Sequence, residues 1–315
     1  MARSLRYPQG SDPSKRPEWL KVRLNYNERA KALGEVIERL NLNTVCAEAK
    51  CPNIGECWGV GTATIMILGD TCTRKCSFCA VATGKPNLVD PLEPMNTAKA
   101  VKFMNLGHVV ITSVDRDDLK DGGAAHWAAT VRAVHHLCPK TSVEILTGDF
   151  KGKTHDVETV LESKPEVFSH NLETTRRLTW QVRSNSDFDR SLSVLEFATK
   201  WGAQRVKTGI MLGLGETMDE VKETMRAAAD VGVQYFSVGQ YLRPTRHHHQ
   251  VQRFWTPMEF AEIKAYGEED LGFLNMESGP LVRSSYHAEK AVQADREFGI
   301  QVDIQKSTKK PPLPL

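Results

Sequence analysis

The chain has 315 residues, 40% of them apolar and 25% charged, with a net charge of +2 at neutral pH. That composition suits a globular protein with a large core, and an α/β barrel routinely occupies this length as one unit. The small net charge argues against an electrostatic nucleic-acid or anionic-membrane binder. No apolar run approaches the ~18 residues that a bilayer crossing needs.

Residues 1–17 read as a flexible polar arm. Its Arg and Ser content is what a mitochondrial presequence carries, but Asp12 and prolines at 8, 13 and 17 spoil a long amphipathic helix. The expectation is a cytoplasmic protein of bacterial type, with a mitochondrial or plastid matrix as the alternative. Residues 18–62 form an N-terminal extension. Within it Asn27 reads as an N-cap, followed by Ala30, Leu33, Ile37 and Leu40 at helical spacing, a core-facing stripe. Three thiols follow, Cys46, Cys51 and Cys57, with Pro52 and Gly55 supplying turns between them.

A second set of three, Cys72, Cys76 and Cys79, stands directly after the apolar run Thr64–Leu68. Six of the seven cysteines thus fall between positions 46 and 79, without a secretory apolar segment ahead of them, which argues for metal ligation in a reducing compartment. Thiolates at C-x3-C-x2-C spacing suit zinc or an iron–sulfur cluster. A closed structural zinc site takes four protein ligands and the local count is three. Three cysteines on a four-iron cubane would leave one iron open to a small molecule.

From residue 63 to 277 short apolar runs alternate with helical patterns. Strands are expected at 63–68, 109–111, 143–146, 167–169, 206–211 and 235–238, with a last short one at 272–276. Helices are expected near 93–106, 123–137, 155–163, 187–200, 217–231 and 257–271. Such alternation means a parallel sheet of βα units, here a partial (β/α)6 barrel of TIM type with its chemistry on the loops after the strands. Those loops are loaded. They carry Ser113 and Asp115, then Thr147-Gly148-Asp149, then His170-Asn171-Leu-Glu173, then Gly213-Leu-Gly215-Glu216, then Gly239-Gln240. The glycines allow close backbone approach to a ligand. Cys138 reads as a packed thiol, and His247-His248-His249 as a solvated loop. The C-terminal segment 278–315 holds Arg283-Ser284-Ser285-Tyr286, followed by a Pro- and Lys-rich tail.

The Cys72/Cys76/Cys79 motif, with Phe78 before its last cysteine, resembles the signature of radical S-adenosylmethionine enzymes. Adding Cys46/Cys51/Cys57 upstream and Arg283–Tyr286 downstream narrows the resemblance to the lipoyl synthase family, over roughly residues 16–290. The resemblance implies that Cys72, Cys76 and Cys79 hold a [4Fe-4S] cluster whose open iron chelates S-adenosylmethionine. It implies a second, auxiliary [4Fe-4S] cluster on Cys46, Cys51 and Cys57, with a serine as fourth ligand, placed here at Ser285 beside Arg283. Phe78, Ser113, Asp115, Asn171, Glu173, Gly213, Gly215, Glu216 and Gln240 would line the S-adenosylmethionine site. The implied reaction splits S-adenosylmethionine to a 5′-deoxyadenosyl radical and inserts two sulfurs, at C6 and C8 of an octanoyl chain held on a lysine. The implied partners are octanoylated lipoyl carrier proteins (H protein or E2 lipoyl domains), an electron donor such as ferredoxin or flavodoxin, and an iron–sulfur carrier that rebuilds the auxiliary cluster. Neither nucleic acid nor membrane is among them. Gly148 stands where the family often has proline, and Ser169 where it often has asparagine; both flank the cofactor loops and neither removes a ligand. Two rival readings remain: another sulfur-inserting radical enzyme of the biotin synthase or methylthiotransferase kind, and a non-enzymatic zinc-stapled binding module.

Overall fold

The computed structural model describes residues 16–21, 28–40, 42–45, 53–54, 57, 63–286 and 288; within the first helix, side chains are described from residue 34 onward. Asn27, Cys46, Cys51, Pro52, Gly55 and the C-terminal tail therefore lie outside the described residues.

Eight strands form one sheet. The first, β1 (Asn43–Thr44), pairs antiparallel with β2 (Thr64–Ile67), and every later neighbour is parallel. After β2 the order is β5 (His108–Ser113), β6 (Ser142–Leu146), β7 (Val167–Ser169), β8 (Val206–Leu212), β9 (Tyr235–Gln240) and β10 (Asn275–Gly279). A two-residue parallel ladder, β3 (Thr71–Cys72) against β4 (Ala82–Thr83), stands apart. Among the described residues, the sequential order of parallel neighbours is that of a TIM-type partial barrel, with β1 and β10 at the ends of the sheet. It has the six expected strands and β10 as a seventh.

The inner strands β2 and β5–β9 are buried on both faces, which is why they read as largely continuous apolar runs. Each residue of β2 and of β9 is buried. Ile65, Ile67, Val109, Ile111, Val143 and Ile145 are inaccessible to solvent and pack into one core with the helices outside. Those helices are α1 (Glu28–Arg39), α2 (Glu93–Met104), α3 (Ala124–Leu137), α4 (Thr154–Leu161), α5 (Arg176–Val182), α6 (Phe188–Trp201), α7 (Met218–Asp230) and α8 (Pro257–Ala265). Their ends are set locally. Asp187 caps α6 by accepting from Arg190 N, and Thr217/Glu220 and Thr256/Glu259 form reciprocal capping boxes on α7 and α8.

Beside the short β1, β3 and β4, which were not expected, and a last strand that runs Asn275–Gly279 where 272–276 was expected, two helical elements differ from the sequence expectation. The helix expected to run to 271 is α only to Ala265, then widens into a π turn over Tyr266–Asp270, where Gly267 lies against Met225 and Met276. The seven-residue α5 intrudes between β7 and α6, with Leu178 and Val182 turned inward and Trp180 outward.

Candidate active site

The C-terminal ends of the parallel strands meet at one mouth, and the Cys72–Cys79 loop lies across it. The loop leaves β2 through Leu68 and Gly69, both at positive φ (67° and 93°), which turns the chain sharply. From Thr71 its backbone is tied at almost every step. Thr73 N and Oγ1 both donate to Asp115 O, at 3.0 and 2.9 Å. Ser77 N donates to Val182 O at 2.8 Å, Lys75 N to Ser184 Oγ at 2.7 Å, and Gly84 N to Cys72 O at 3.0 Å. The loop is thus fastened to the ends of β5 and α5 before any ligand enters.

Arg74, between the first two cysteines, is the principal fastening. Its guanidinium is 1% exposed. It forks onto the Asp117 carboxylate with two bonds of 2.9 Å and reaches Asp149 at 2.7 Å, with Asp115 3.8 Å away. Asp149, fully buried, accepts also from Arg190 at 2.8 Å. Burial works against the Asp149 carboxylate, but the Arg74 bond and charge outweigh it and hold this carboxyl well below the usual range. A bidentate buried pair of this kind fixes geometry more than it adds stability. Nothing in the sequence pattern marked Arg74, since its partners are 43 and 75 positions away. The clue available was a basic residue inside a thiol loop facing an Asp-rich one.

The three thiols are half-buried. Burial, first of all, pushes Cys76 up to about 12 and Cys79 up to about 11, and raises Cys72, with neighbouring thiols and carboxylates adding to it. Cys72 Sγ nonetheless accepts two backbone N–H groups, from Arg74 at 3.4 Å and Asp115 at 3.3 Å. Thiols so placed keep their protons unless a cationic centre displaces them, and the amides then await the thiolate. The donor set fits an iron–sulfur cluster. Among the described residues no three His, Cys, Asp or Glu side chains close on one point as a single metal ion requires.

Around this loop stand the other expected residues. Asn171 is buried, its Nδ2 donating to Glu173 Oε1 at 3.2 Å. Glu173 holds φ +67° and is bridged to β8 by its own N–H to Gly209 O (3.0 Å) and by Met211 N to its carbonyl (2.8 Å). Burial raises its carboxyl, with Arg183 opposing. Gly213 is required twice over: its φ is +103°, and a Cβ there would lie 2.2 Å from Gln240 Nε2. Phe78 packs with Leu178, Val182, Leu214, Tyr241 and Phe254 in a second apolar cluster at the mouth. Ser113 ends β5 paired with Ile67. Glu216 and Gln240 have their polar groups committed within the protein, Glu216 to two backbone N–H groups and one indole, Gln240 to backbone. Glu216 accepts from Gly213 N, Leu214 N and Trp255 Nε1 at 2.5, 2.9 and 2.7 Å. Gln240 donates to Leu212 O and accepts from Trp255 N, both at 2.9 Å. Both are braces of the glycine-rich loop.

Residues 66–228 match the model of the radical SAM superfamily. Among curated proteins the chain is 51% identical over 280 residues to a lipoyl synthase of Flavobacterium johnsoniae, covering 89% of this chain and 97% of that one. It is 47% identical over 283 residues to a lipoyl synthase of Bacteroides thetaiotaomicron (90% and 100% covered), and 47% identical over 277 residues to a mitochondrial lipoyl synthase of Nematostella vectensis (88% and 95%). The chain belongs to the lipoyl synthase family.

Two solved structures share the fold at low identity: methylornithine synthase (TM-score 0.55, 17% identical, 67% of this chain and 63% of that one) and a maturase of the [FeFe]-hydrogenase (TM-score 0.56, 13% identical, 78% and 63%). As a lipoyl synthase, the protein is a radical enzyme using S-adenosylmethionine and an iron–sulfur cluster. No helix among the described residues is long and apolar enough to cross a membrane.

Away from the Cys72 loop, the structure joins two segments that the sequence keeps 228 positions apart. Asn53 Nδ2 donates to Leu281 O at 2.7 Å, bringing the cysteine-bearing extension against the segment that carries Ser285. Cys57 is half-buried against the main core, and its N–H donates to Asn53 O at 2.9 Å. Of the two serines, Ser284 Oγ accepts from Asn171 Nδ2 at 2.8 Å. Ser285 and Arg283 are half-buried beside it. Gly148 and Ser169, the two positions expected to depart from the family pattern, have local uses. Gly148 leaves room for Asp115, whose Oδ1 would lie 2.3 Å from a Cβ at 148, and Ser169 Oγ donates to buried Glu144 at 3.1 Å.

Cys138 is buried, its thiol directed at Ala98 O, as a packed cysteine should be. The histidine run departs from expectation. His248 and His249 are half-buried, and both bond to the loops described above.

Proposed function

We propose that this lipoyl synthase inserts two sulfur atoms, at C6 and C8, into an octanoyl chain carried on a lysine of a lipoyl carrier protein, with two [4Fe-4S] clusters dividing the work. Cys72, Cys76 and Cys79 hold the first, whose open iron receives S-adenosylmethionine. Cys46, Cys51, Cys57 and Ser285 hold the second. When bound, these groups supply a carbon radical able to take hydrogen from an unactivated methylene, and the sulfur that replaces it. No acid, base or nucleophile among the side chains could do that.

The chain's own residues bind, orient and exclude. Arg74, Thr73 and Ser77 fix the thiol loop to β5 and α5 before loading, so little ordering remains to be done when the cluster enters. The Gly209–Glu216 turn brings bare backbone to the mouth, and Asn171 and Glu173 offer polar atoms beside it. The observation that carries the reading is the Asn53–Leu281 bond. It supports a shared site for the Cys46 set and Ser285, at the same mouth as the Cys72 set. A serine oxygen is a harder partner for iron than thiolate, which suits a cluster meant to give up sulfide. H protein or E2 lipoyl domains are the carriers proposed, ferredoxin or flavodoxin the electron donor, and an iron–sulfur carrier the source of renewal, in bacterial-type cytoplasm.

The test is direct. Iron-loaded protein is incubated without air with S-adenosylmethionine, a reductant and an octanoylated carrier domain, and the carrier is weighed. A gain of two sulfurs, less two hydrogens where the dithiol has closed to the disulfide, supports the reading. An unchanged carrier mass, from protein that carries its iron and cleaves S-adenosylmethionine, contradicts it.

A further inference from the structure

The loop after β9 crosses the mouth and touches both halves of the cofactor site. His248 directs Nε2 at Cys79 O, 2.9 Å away, and Nδ1 at Thr245 Oγ1, 2.8 Å away. A carbonyl oxygen only accepts, so Nε2 carries the hydrogen, and Thr245 sets the plane of the ring. His249 makes two contacts of its own. Its backbone N donates to Ser77 O at 2.7 Å, and its Nε2 faces Leu214 O at 3.3 Å. Ser77 and Cys79 belong to the thiol loop, and Leu214 to the glycine-rich turn. The loop bearing the histidines is itself braced: Tyr241 OH donates to His249 O at 2.8 Å, and Arg243 Nε to His248 O at 2.9 Å. His247, next in line, is exposed.

We propose that His248 and His249 are positioning residues that lock the thiol loop to the glycine-rich turn, so that the iron site and the S-adenosylmethionine site keep one relative geometry. His248 holds the Cys79 peptide, and with it the direction of the Cys79 sulfur. His249 spans the two loops, its backbone on one and its ring on the other. The inference rests on the reading that Cys72, Cys76 and Cys79 hold a cluster that binds S-adenosylmethionine.

The test uses the full chain loaded with iron and sulfide under anaerobic conditions. Two quantities are read: the rate of iron release to a ferrous chelator, and the change in the electron paramagnetic resonance spectrum of the reduced protein on adding S-adenosylmethionine. His248→Ala should release iron roughly fivefold faster, the effect of one lost hydrogen bond, and should blunt the spectral change. His248→Gln, which keeps an N–H donor, should restore both. His249→Ala keeps its backbone bond to Ser77; it should leave iron release near wild type while raising, by a similar factor, the S-adenosylmethionine concentration needed for the spectral change. His247→Ala should alter neither.

If His248→Ala does not fold, Thr245→Val, at an exposed position, carries the test with a smaller effect of the same sign. Wild-type behaviour of His248→Ala, or of Thr245→Val in its place, overturns the inference, as does a glutamine that fails to rescue. If the wild-type spectrum does not respond to S-adenosylmethionine, the functional reading itself fails. If it responds and the histidine variants match it, the positioning role alone fails.

Discussion

Gly239 lies on β9 directly under the C-terminal segment, and replacing it with alanine should separate the two halves of the reaction. A Cβ at this position would stand 2.0 Å from Val282 O, 3.0 Å from Val282 C and 3.3 Å from Arg283 Nη1. Ordinary carbon contacts begin near ~3.5 Å, so the Val282 carbonyl must retreat by roughly 1–1.5 Å. β9 cannot yield instead, since it is paired on both sides, residue by residue, with β8 and β10. The displaced segment carries Ser285, three positions on, while the Cys72 loop is fastened to β5 and α5, and Gln240, which braces the glycine-rich turn, stays in place on the doubly paired β9. Gly239→Ala should therefore cost about 1–3 kcal/mol of stability, as overpacking does. It should lower sulfur insertion about a hundredfold, the usual penalty for a 1 Å misplacement, and leave cleavage of S-adenosylmethionine within a fewfold of wild type. The assay follows 5′-deoxyadenosine and carrier mass in one anaerobic reaction, with a thermal melt in parallel. Product formed at the wild-type rate would refute the reasoning. So would equal loss of both activities in a protein that melts like wild type.

Arg74→Lys should fail to load iron on the Cys72 set and should lower stability by about 1–3 kcal/mol, because lysine keeps the charge but cannot reproduce the fork on Asp117 and leaves Asp149 to Arg190; iron analysis and urea denaturation check it. His108 is buried beside Ser142, and burial, then the Lys207 charge, depresses it to about 3, while an unfolded histidine titrates near ~6.5. Its contribution is complete above pH 6.5 and is lost as pH falls from there toward 3, at up to about 1.4 kcal/mol per pH unit. His170, depressed to about 4 by burial and the Arg183 charge, adds to the same decline. Urea midpoints at pH 7.5 and 5 should show it, and His108→Gln should flatten the difference; parallel curves would contradict it. Ser285→Cys should keep the auxiliary cluster and slow sulfur transfer, because thiolate holds iron more firmly. Ser284→Ala loses the Asn171 bond and should do less; the reverse order of sensitivity would move the ligand to Ser284.

Strand positions were legible because parallel strands buried on both faces leave apolar runs that any reader of the sequence meets: Val143–Leu146 was expected and Ser142–Leu146 found. Helix starts were legible where a side chain writes the cap, as Thr217 does with Glu220. Short elements with little periodicity were not, among them β1 with two residues and α5 with seven. The cysteine spacing was visible because its donors are local. What holds those donors was not, since Arg74 meets Asp149 across 75 positions, and His248 meets Cys79 across 169. Read alone, three consecutive histidines suggest a solvated loop, because nothing local tells them that the thiol loop passes within 3 Å.

The division of labour between the two cysteine sets is the central claim, and one experiment tests it most directly. Cys46, Cys51 and Cys57 are replaced together by alanine, iron content and melting temperature are recorded, and both 5′-deoxyadenosine and carrier mass are followed. The wild-type chain should saturate at about eight irons, from two four-iron clusters, and the triple variant at about half that. It should still release 5′-deoxyadenosine while the carrier gains no sulfur. Cleavage abolished in a well-folded variant, or a carrier that still gains sulfur, would contradict the account.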